Sequence, residues 1–153
     1  MQGKVNAVPE GFHTITPYFI VNDANKFIDF IKEAFSAVEN RRSVTPDGRI
    51  MHAQLKIGDS FIMIGESTGE WKPMPCTIYM YLPDVDAVYN KALKAGGTKL
   101  REPNNEFYGD RICGVEDPLG NQWWIATHIE DVSPEEMKKR EQKMMQQMKV
   151  KSS

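Results

Sequence analysis

Between Thr14 and Thr127 the spacing of apolar positions changes in a regular order, from every second residue to every third or fourth and back again. Thr14 to Val21 is rich in β-branched and aromatic residues and predicts a strand, with Asn22-Asp23 behind it suited to cap a helix. Phe27, Phe30, Ile31, Ala34 and Phe35 fall at i, i+3, i+4, i+7 and i+8, which lays one apolar stripe along a helix from about Ala24 to Ala37. Glu39 to Thr45 predicts a second strand, Pro46-Asp47-Gly48 a turn, and Arg49 to Ile57 a third strand. In that third strand Met51, Ala53, Leu55 and Ile57 share one face, and His52, Gln54 and Lys56 the other. Gly58-Asp59 turns the chain into a fourth strand, Ser60 to Ile64, and Glu66 to Pro75 is the connector that follows.

The same order then recurs. Cys76 to Leu82 predicts a strand ending at Pro83-Asp84, and Val85, Val88, Tyr89, Ala92 and Leu93 repeat the helical stripe up to Gly96-Gly97. Thr98 to Glu102 predicts a strand, Pro103 to Asp110 a polar loop, and Arg111 to Thr127 a hairpin around Asp117-Pro118-Leu119-Gly120-Asn121. Asp23 and Asp84 lie 61 residues apart, and Gly58 and Gly120 lie 62 apart, so two anchors place one duplicated β-α-β-β-β module. The expected fold is α+β: two tandem modules whose curved mixed sheets enclose a cleft, plus a C-terminal helix. The expected organisation is an arm over residues 1–12, one domain over 13–130 and a helical tail over 131–153. Within that domain, module one spans 13–66, a linker 67–75 and module two 76–130. In the tail Ser133 can cap, Pro134 suits the first helical position, and Glu135 and Glu136 suit the first turn. Met137, Met144 and Met148 line one face of that helix, with Met145 beside it.

Composition narrows the partners. A chain of 153 residues with a formal charge of -2 offers no concentrated cationic face, so neither nucleic acid nor an anionic membrane is an expected partner. No apolar run approaches the roughly 18 residues that a membrane span needs, and Met1 to Val8 has no export-signal core, so a cytoplasmic location is expected. Cys76 and Cys113 stand alone without a Cys-x-x-Cys partner, which predicts reduced thiols rather than a disulfide or zinc knuckle.

Several motifs resemble one known family. Asp84-Val85-Asp86-Ala87-Val88 with Ala95-Gly96-Gly97, Tyr108-Gly109-Asp110-Arg111, and Asp117 to His128 are similar to the vicinal oxygen chelate superfamily of glyoxalases, bleomycin-resistance proteins and extradiol dioxygenases. Its PhnB-like branch continues into a segment similar to Glu130 to Met137. The resemblance implies a metal held by one residue from the first and one from the last strand of each module. The matching positions are Thr16, Thr77, about Ile62, and Trp124, and none offers an imidazole or carboxylate to a divalent ion. No metal and no cofactor are therefore expected.

Strand alternation places Thr16, Tyr18 and Ile20 of the first module and Thr77, Tyr79 and Tyr81 of the second on the cleft. With His52, Gln54, Ile62, Ile64, Arg111, Cys113 and Trp124 these make an aromatic surface suited to a planar or amphipathic small molecule, or else packing between two curved sheets. His52 is a candidate general base or orienting donor, or simply a structural hydrogen-bonder. Arg111 suits a ligand anion, or an ion pair with Glu116 or Asp110. Cys113 is a nucleophile only if its pKa is depressed, and otherwise a small buried hydrophobe. The expected function is small-molecule binding by a homodimer, as sequestration or sensing. Two other readings stay open. One is an enzyme of this fold performing lyase, isomerase or group-transfer chemistry through His52, Arg111 or a metal at another position, and the other a partner-binding module acting through the Met-bearing helix.

Overall fold

A computed structural model describes residues 3–152. The first module runs β1 (Tyr18–Val21), α1 (Ala24–Phe35), β2 (Val38–Val44), β3 (Ile50–Ile57) and β4 (Ser60–Glu66). The second runs β5 (Thr77–Tyr81), α2 (Val85–Lys94), β6 (Thr98–Asn105), β7 (Asp110–Glu116) and β8 (Gln122–His128), and α3 (Pro134–Lys151) follows. Each module folds into a four-stranded sheet of the same plan, ordered β1-β4-β3-β2 and β5-β8-β7-β6. The first strand of each lies parallel to the last, and the remaining pairs are antiparallel. The expected two-module α+β architecture is thus the observed one.

The element ends follow from local chemistry. Asp23 caps α1, its carboxylate accepting from the Lys26 amide at 3.0 Å. The helix stops at Phe35, two residues short of the predicted end, because Ser36 turns left-handed (φ 56°) and lets the Ala37 amide reach back to the Ile31 carbonyl at 3.3 Å. Asp23→Ala is expected to cost about 1 kcal/mol, read as an earlier urea midpoint. β1 starts at Tyr18 rather than Thr14, since Pro17 has no amide hydrogen to donate and serves only as the acceptor for Met63. β6 runs on to Asn105 through residues predicted as loop. Pro103 is accommodated because β6 is an edge strand whose register shifts between Arg101 and Asn104. In the arm, the Phe12 ring stacks on Phe61 at 4.4 Å.

One core serves both modules. Phe19 and Phe27 of the first meet Trp123 of the second at 5.3 and 6.3 Å between ring centres, and Phe35 meets it at 4.8 Å. Helices α1 and α2 pack on each other. Ile62, Ile64, Ala53 and Leu55 line the core face of the first sheet, and Cys113, Val115, Trp123 and Ile125 that of the second. Met51 leaves its expected place beside Ala53 and is 63% exposed. It is the extra residue where the β2–β3 register shifts between Ser43 and Val44, so Ile50 takes the buried position instead. Helix α3 has no buried residue and is tied down through Arg140, which donates to both Glu130 oxygens at 2.7 and 2.9 Å and to the Phe107 carbonyl at 3.0 Å. Met137 and Met144 are half-buried, while Met145 and Met148 stand in solvent. No helix among the described residues is long and apolar enough to cross a membrane.

Candidate functional site

Each sheet has a second face, opposite the shared core. On the first sheet, β1 paired with β4 sets Tyr18 beside Met63, and β3 paired with β4 sets Gln54 beside Met63. His52 lies one step along, its ring 5.9 Å from Tyr18 and its Nε2 3.3 Å from the Gln54 amide nitrogen. Trp71 from the connector meets Tyr18 edge to face at 6.2 Å. A cavity of about 320 Å3 opens here between Tyr18, Met51, Gly65, Glu66, Thr68, Glu70 and Trp71.

On the second sheet, Tyr79 lies beside Trp124, and Trp124 beside Gly114. The six-membered ring of the indole packs against that glycine: a Cβ there would come within 2.5 Å of it. Tyr79 and Tyr81 reach across the sheet, their hydroxyls donating to Asp110 Oδ2 at 3.2 and 2.8 Å. Asp110 Oδ1 lies 2.7 Å from His128 Nδ1, and His128 Nε2 lies 2.8 Å from Asp131. Asp110 is only 3% exposed. Burial opposes its ionisation, but hydrogen bonds from His128, Tyr81 and Tyr79 outweigh that and hold its carboxyl below the usual range. The same contact with Asp110, then that with Asp131, raises the His128 imidazole. Burial, followed by the neighbouring Tyr108 hydroxyl, keeps the Tyr79 phenol protonated, and the Asp110 hydrogen bond does so for Tyr81.

Several expected cleft residues lie elsewhere. Ile62 and Ile64 belong to the core face, because Leu55 and Ala53 are their partners; Met63 takes the cleft-face position. Ile62 nonetheless lines a cavity of about 610 Å3 along β5, together with Ile15, Pro17, Tyr79, Tyr81 and Trp123. Arg111 points toward α2, where its Nε and Nη2 grip Asp86 at 2.8 and 2.9 Å and its Nη1 meets Asn105 at 2.9 Å. Its partner is therefore neither Glu116 nor Asp110, since those project from the other face of β7. Cys113 is fully buried under α2, and burial, with the charge of Asp86 behind it, pushes its thiol up to about 11. That is the opposite of what a nucleophile needs. Thr16 precedes β1 and is half-buried, whereas Thr77 is exposed at the start of β5. Tyr18, His52 and Gln54 are gathered on one sheet and Tyr79, Tyr81 and Trp124 on the other.

Asp110, His128 and Met63 carry the geometry, and periodicity does not single them out. A usable signal existed. Counting outward from the Asp117–Asn121 turn, Glu116 opposite Gln122 forces Asp110 opposite His128. The tyrosines' reach across β8 had no such signal.

The metal implied by the family motif does not fit. The residues at the first-strand positions are Thr16 and Thr77, with Tyr18 and Tyr79 after them, and the last-strand positions hold Met63 and an indole packed on Gly114. Phenol, thioether and indole are poor donors beside imidazole and carboxylate. Among the described residues no group of three or more His, Cys, Asp or Glu is placed to hold a metal ion.

Comparison with known proteins agrees with this fold. The description "Glyoxalase/Bleomycin resistance protein/Dioxygenase superfamily" matches residues 11–125. An uncharacterized protein of Mycobacterium bovis is 34% identical over 134 residues, covering 80% of this chain and 88% of that one. TioX from Micromonospora sp. ML1 superposes with a TM-score of 0.67 at 19% identity, over 76% of this chain and 99% of that one. Fosfomycin resistance protein FosX from Mesorhizobium loti gives a TM-score of 0.57 at 19% identity, over 75% and 91%.

Proposed function

Because the chain belongs to the glyoxalase/bleomycin resistance protein/dioxygenase superfamily, we propose that it binds a planar or amphipathic small molecule without the superfamily's metal, as a sequestering or sensing protein. The segment from Glu130 to Met137 resembles the continuation found in the superfamily's PhnB-like branch and supports assigning the chain to that branch. The observation that carries the reading is the last-strand position, where the Trp124 ring lies over Gly114 beside Tyr79. An aromatic side chain stands where the superfamily's metal chemistry would need a ligand. Arg111 is committed to Asp86 and Cys113 is buried, so neither supports an enzymatic alternative.

The working unit is a homodimer. The core faces of both sheets are spent on the shared core, so the faces bearing Tyr18, His52 and Gln54 and bearing Tyr79, Tyr81 and Trp124 lie on its outer sides. A cleft that encloses a ligand on both sides needs the first face of one copy against the second face of another. Sedimentation at micromolar concentration is expected to return twice the chain mass, and a monomeric mass would overturn the dimer. In a thermal-shift screen of planar amphipathic compounds, hits are expected to stabilise the wild type and to lose that shift in Trp124→Ala. A folded sample with no hit, or near-stoichiometric bound transition metal in unsupplemented protein, would overturn the binding reading.

A further inference from the structure

From the second sheet we infer the charge of the ligand: the face around Tyr79, Tyr81 and Trp124 selects an organic cation carrying N–H groups, an alkyl- or arylammonium or a guanidinium. The inference rests on the binding reading above and specifies its ligand. Its first support is the direction of the hydrogen bonds. Both phenolic hydrogens point at Asp110 Oδ2, at 3.2 and 2.8 Å. A phenol has one hydrogen to give, so what the Tyr81 oxygen offers a ligand is lone pairs, and the Tyr79 oxygen offers the same beside its contact with the Tyr108 hydroxyl. A buried carboxylate behind them makes those lone pairs more negative. Neither phenol can ionise to escape the arrangement, since both are held protonated.

The second support is charge. Asp110, His128 and Asp131 form one chain of contacts, which carries a net negative charge whether or not the imidazole is protonated. Four cations of this module and the tail are tied to other carboxylates, Arg111 to Asp86, Arg101 to Glu106, Arg140 to Glu130 and Lys99 to Glu102, while Lys91 and Lys94 sit on α2, which packs on the opposite, core side of the sheet. A ligand cation is therefore the complement this face lacks. The third support is the π surface. Tyr79 and Tyr81 are 47% and 59% exposed, with ring centres 5.5 Å apart and planes inclined at 57°. Exposed rings whose hydroxyls meet an anion offer negative π faces to a cation. The first sheet repeats the chemistry independently, with Tyr18 and Trp71 edge to face and Glu66 and Glu70 lining the same cavity.

The test uses three probes of one shape on the full-length wild-type protein: 2-naphthylmethylammonium, 2-naphthylmethanol and 2-naphthoate, titrated by calorimetry at neutral pH. The ammonium is expected to bind about tenfold tighter than the alcohol, the order given by a cation–π contact joined to a charge-assisted hydrogen bond, and the naphthoate weakest. The N,N,N-trimethyl analogue, which keeps the charge without N–H, is expected to fall between ammonium and alcohol. Tyr79→Phe with Tyr81→Phe keeps the rings and removes the oxygens, and is expected to bring the ammonium down to the trimethyl analogue. Equal affinity for all three probes, or preference for naphthoate, overturns cation selection and leaves the binding reading intact. No binding by any probe overturns both, and because the probe series is read on wild type, this holds even if the double variant fails to fold.

Discussion

Trp123→Ala is expected to be the most damaging single substitution in the chain, lowering the unfolding free energy by about 3–5 kcal/mol. Trp123 is 1% exposed and its ring meets those of Phe19, Phe27 and Phe35 of the first module. Its indole N–H also donates to Asp117 Oδ2 at 2.9 Å, inside the network that closes the β7–β8 turn. Asp117 Oδ1 takes the Leu119 and Asn121 amides at 2.8 and 3.0 Å, and Asn121 Oδ1 accepts the Cys76 amide at 2.9 Å at the entry to β5. Truncation would therefore open a cavity between the modules and unpin the turn together. Domains of this size hold only about 5–15 kcal/mol in total, so a loss of that order leaves little reserve. Urea denaturation followed by far-UV circular dichroism measures it. Trp123→Phe, which keeps most of the apolar volume, is expected to lose about 1–2 kcal/mol, mainly the hydrogen bond and the unfilled space. Equal losses for the two variants would show that Trp123 does not join the modules.

The second large effect is expected at Asp110, and it depends on pH. Asp110→Ala removes the acceptor of Tyr79, Tyr81 and His128 at once, and is expected to cost about 1–3 kcal/mol, since the half-exposed partners recover part of their bonding from water. The wild-type Asp110 carboxyl is held below its usual 3.8, so its contribution is complete above that value and fades as acid is taken through the lower, folded-state one. His128 moves oppositely. Its imidazole is raised above 6.5, so its contribution is complete below 6.5 and is lost as pH climbs through the higher, folded-state value. Between those limits the cluster stabilises the fold most, with an acid limb owed to Asp110 and a neutral-to-alkaline limb owed to His128. Unfolding free energies taken from about pH 5 to pH 9 are expected to decline on the alkaline side for wild type and to stay flatter for His128→Gln. The same slope in both would remove His128 from the cluster.

Much of this fold is legible in the pattern of residues because its information is local. The stripe from Phe27 to Phe35 and its repeat from Val85 to Leu93 describe single helix faces, and each was found within two residues of its predicted limits. The hairpin from Arg111 to Thr127 was visible because Asp117, Pro118 and Gly120 encode a turn by their own backbone preferences. The site was less legible. Ile62 was assigned to the cleft by counting from Gly58, although the two hairpins differ in turn length: Gly58-Asp59 in one, Asp117 to Asn121 in the other. That difference puts Met63, not Ile62, in the place equivalent to Trp124. Arg111 and Cys113 alternate onto the helix side of β7, where Asp86 on α2 waits, a contact between residues 25 apart that no periodicity describes.

What the sequence by itself determined is the duplicated module, the order of its elements and the absence of a suitable donor at the first- and last-strand positions, since each rests on residue identity and short-range spacing. Only the tertiary structure decided how the two modules use their sheets. Burying Phe19, Phe27, Phe35 and Trp123 together fixes which faces are consumed and which stay open. It also decided that two tyrosines from β5 would span β8 to one carboxylate on β7, joined there by the last histidine of the sheet. Those contacts come from strand register and side-chain reach, and neither is written in any one stretch of the chain.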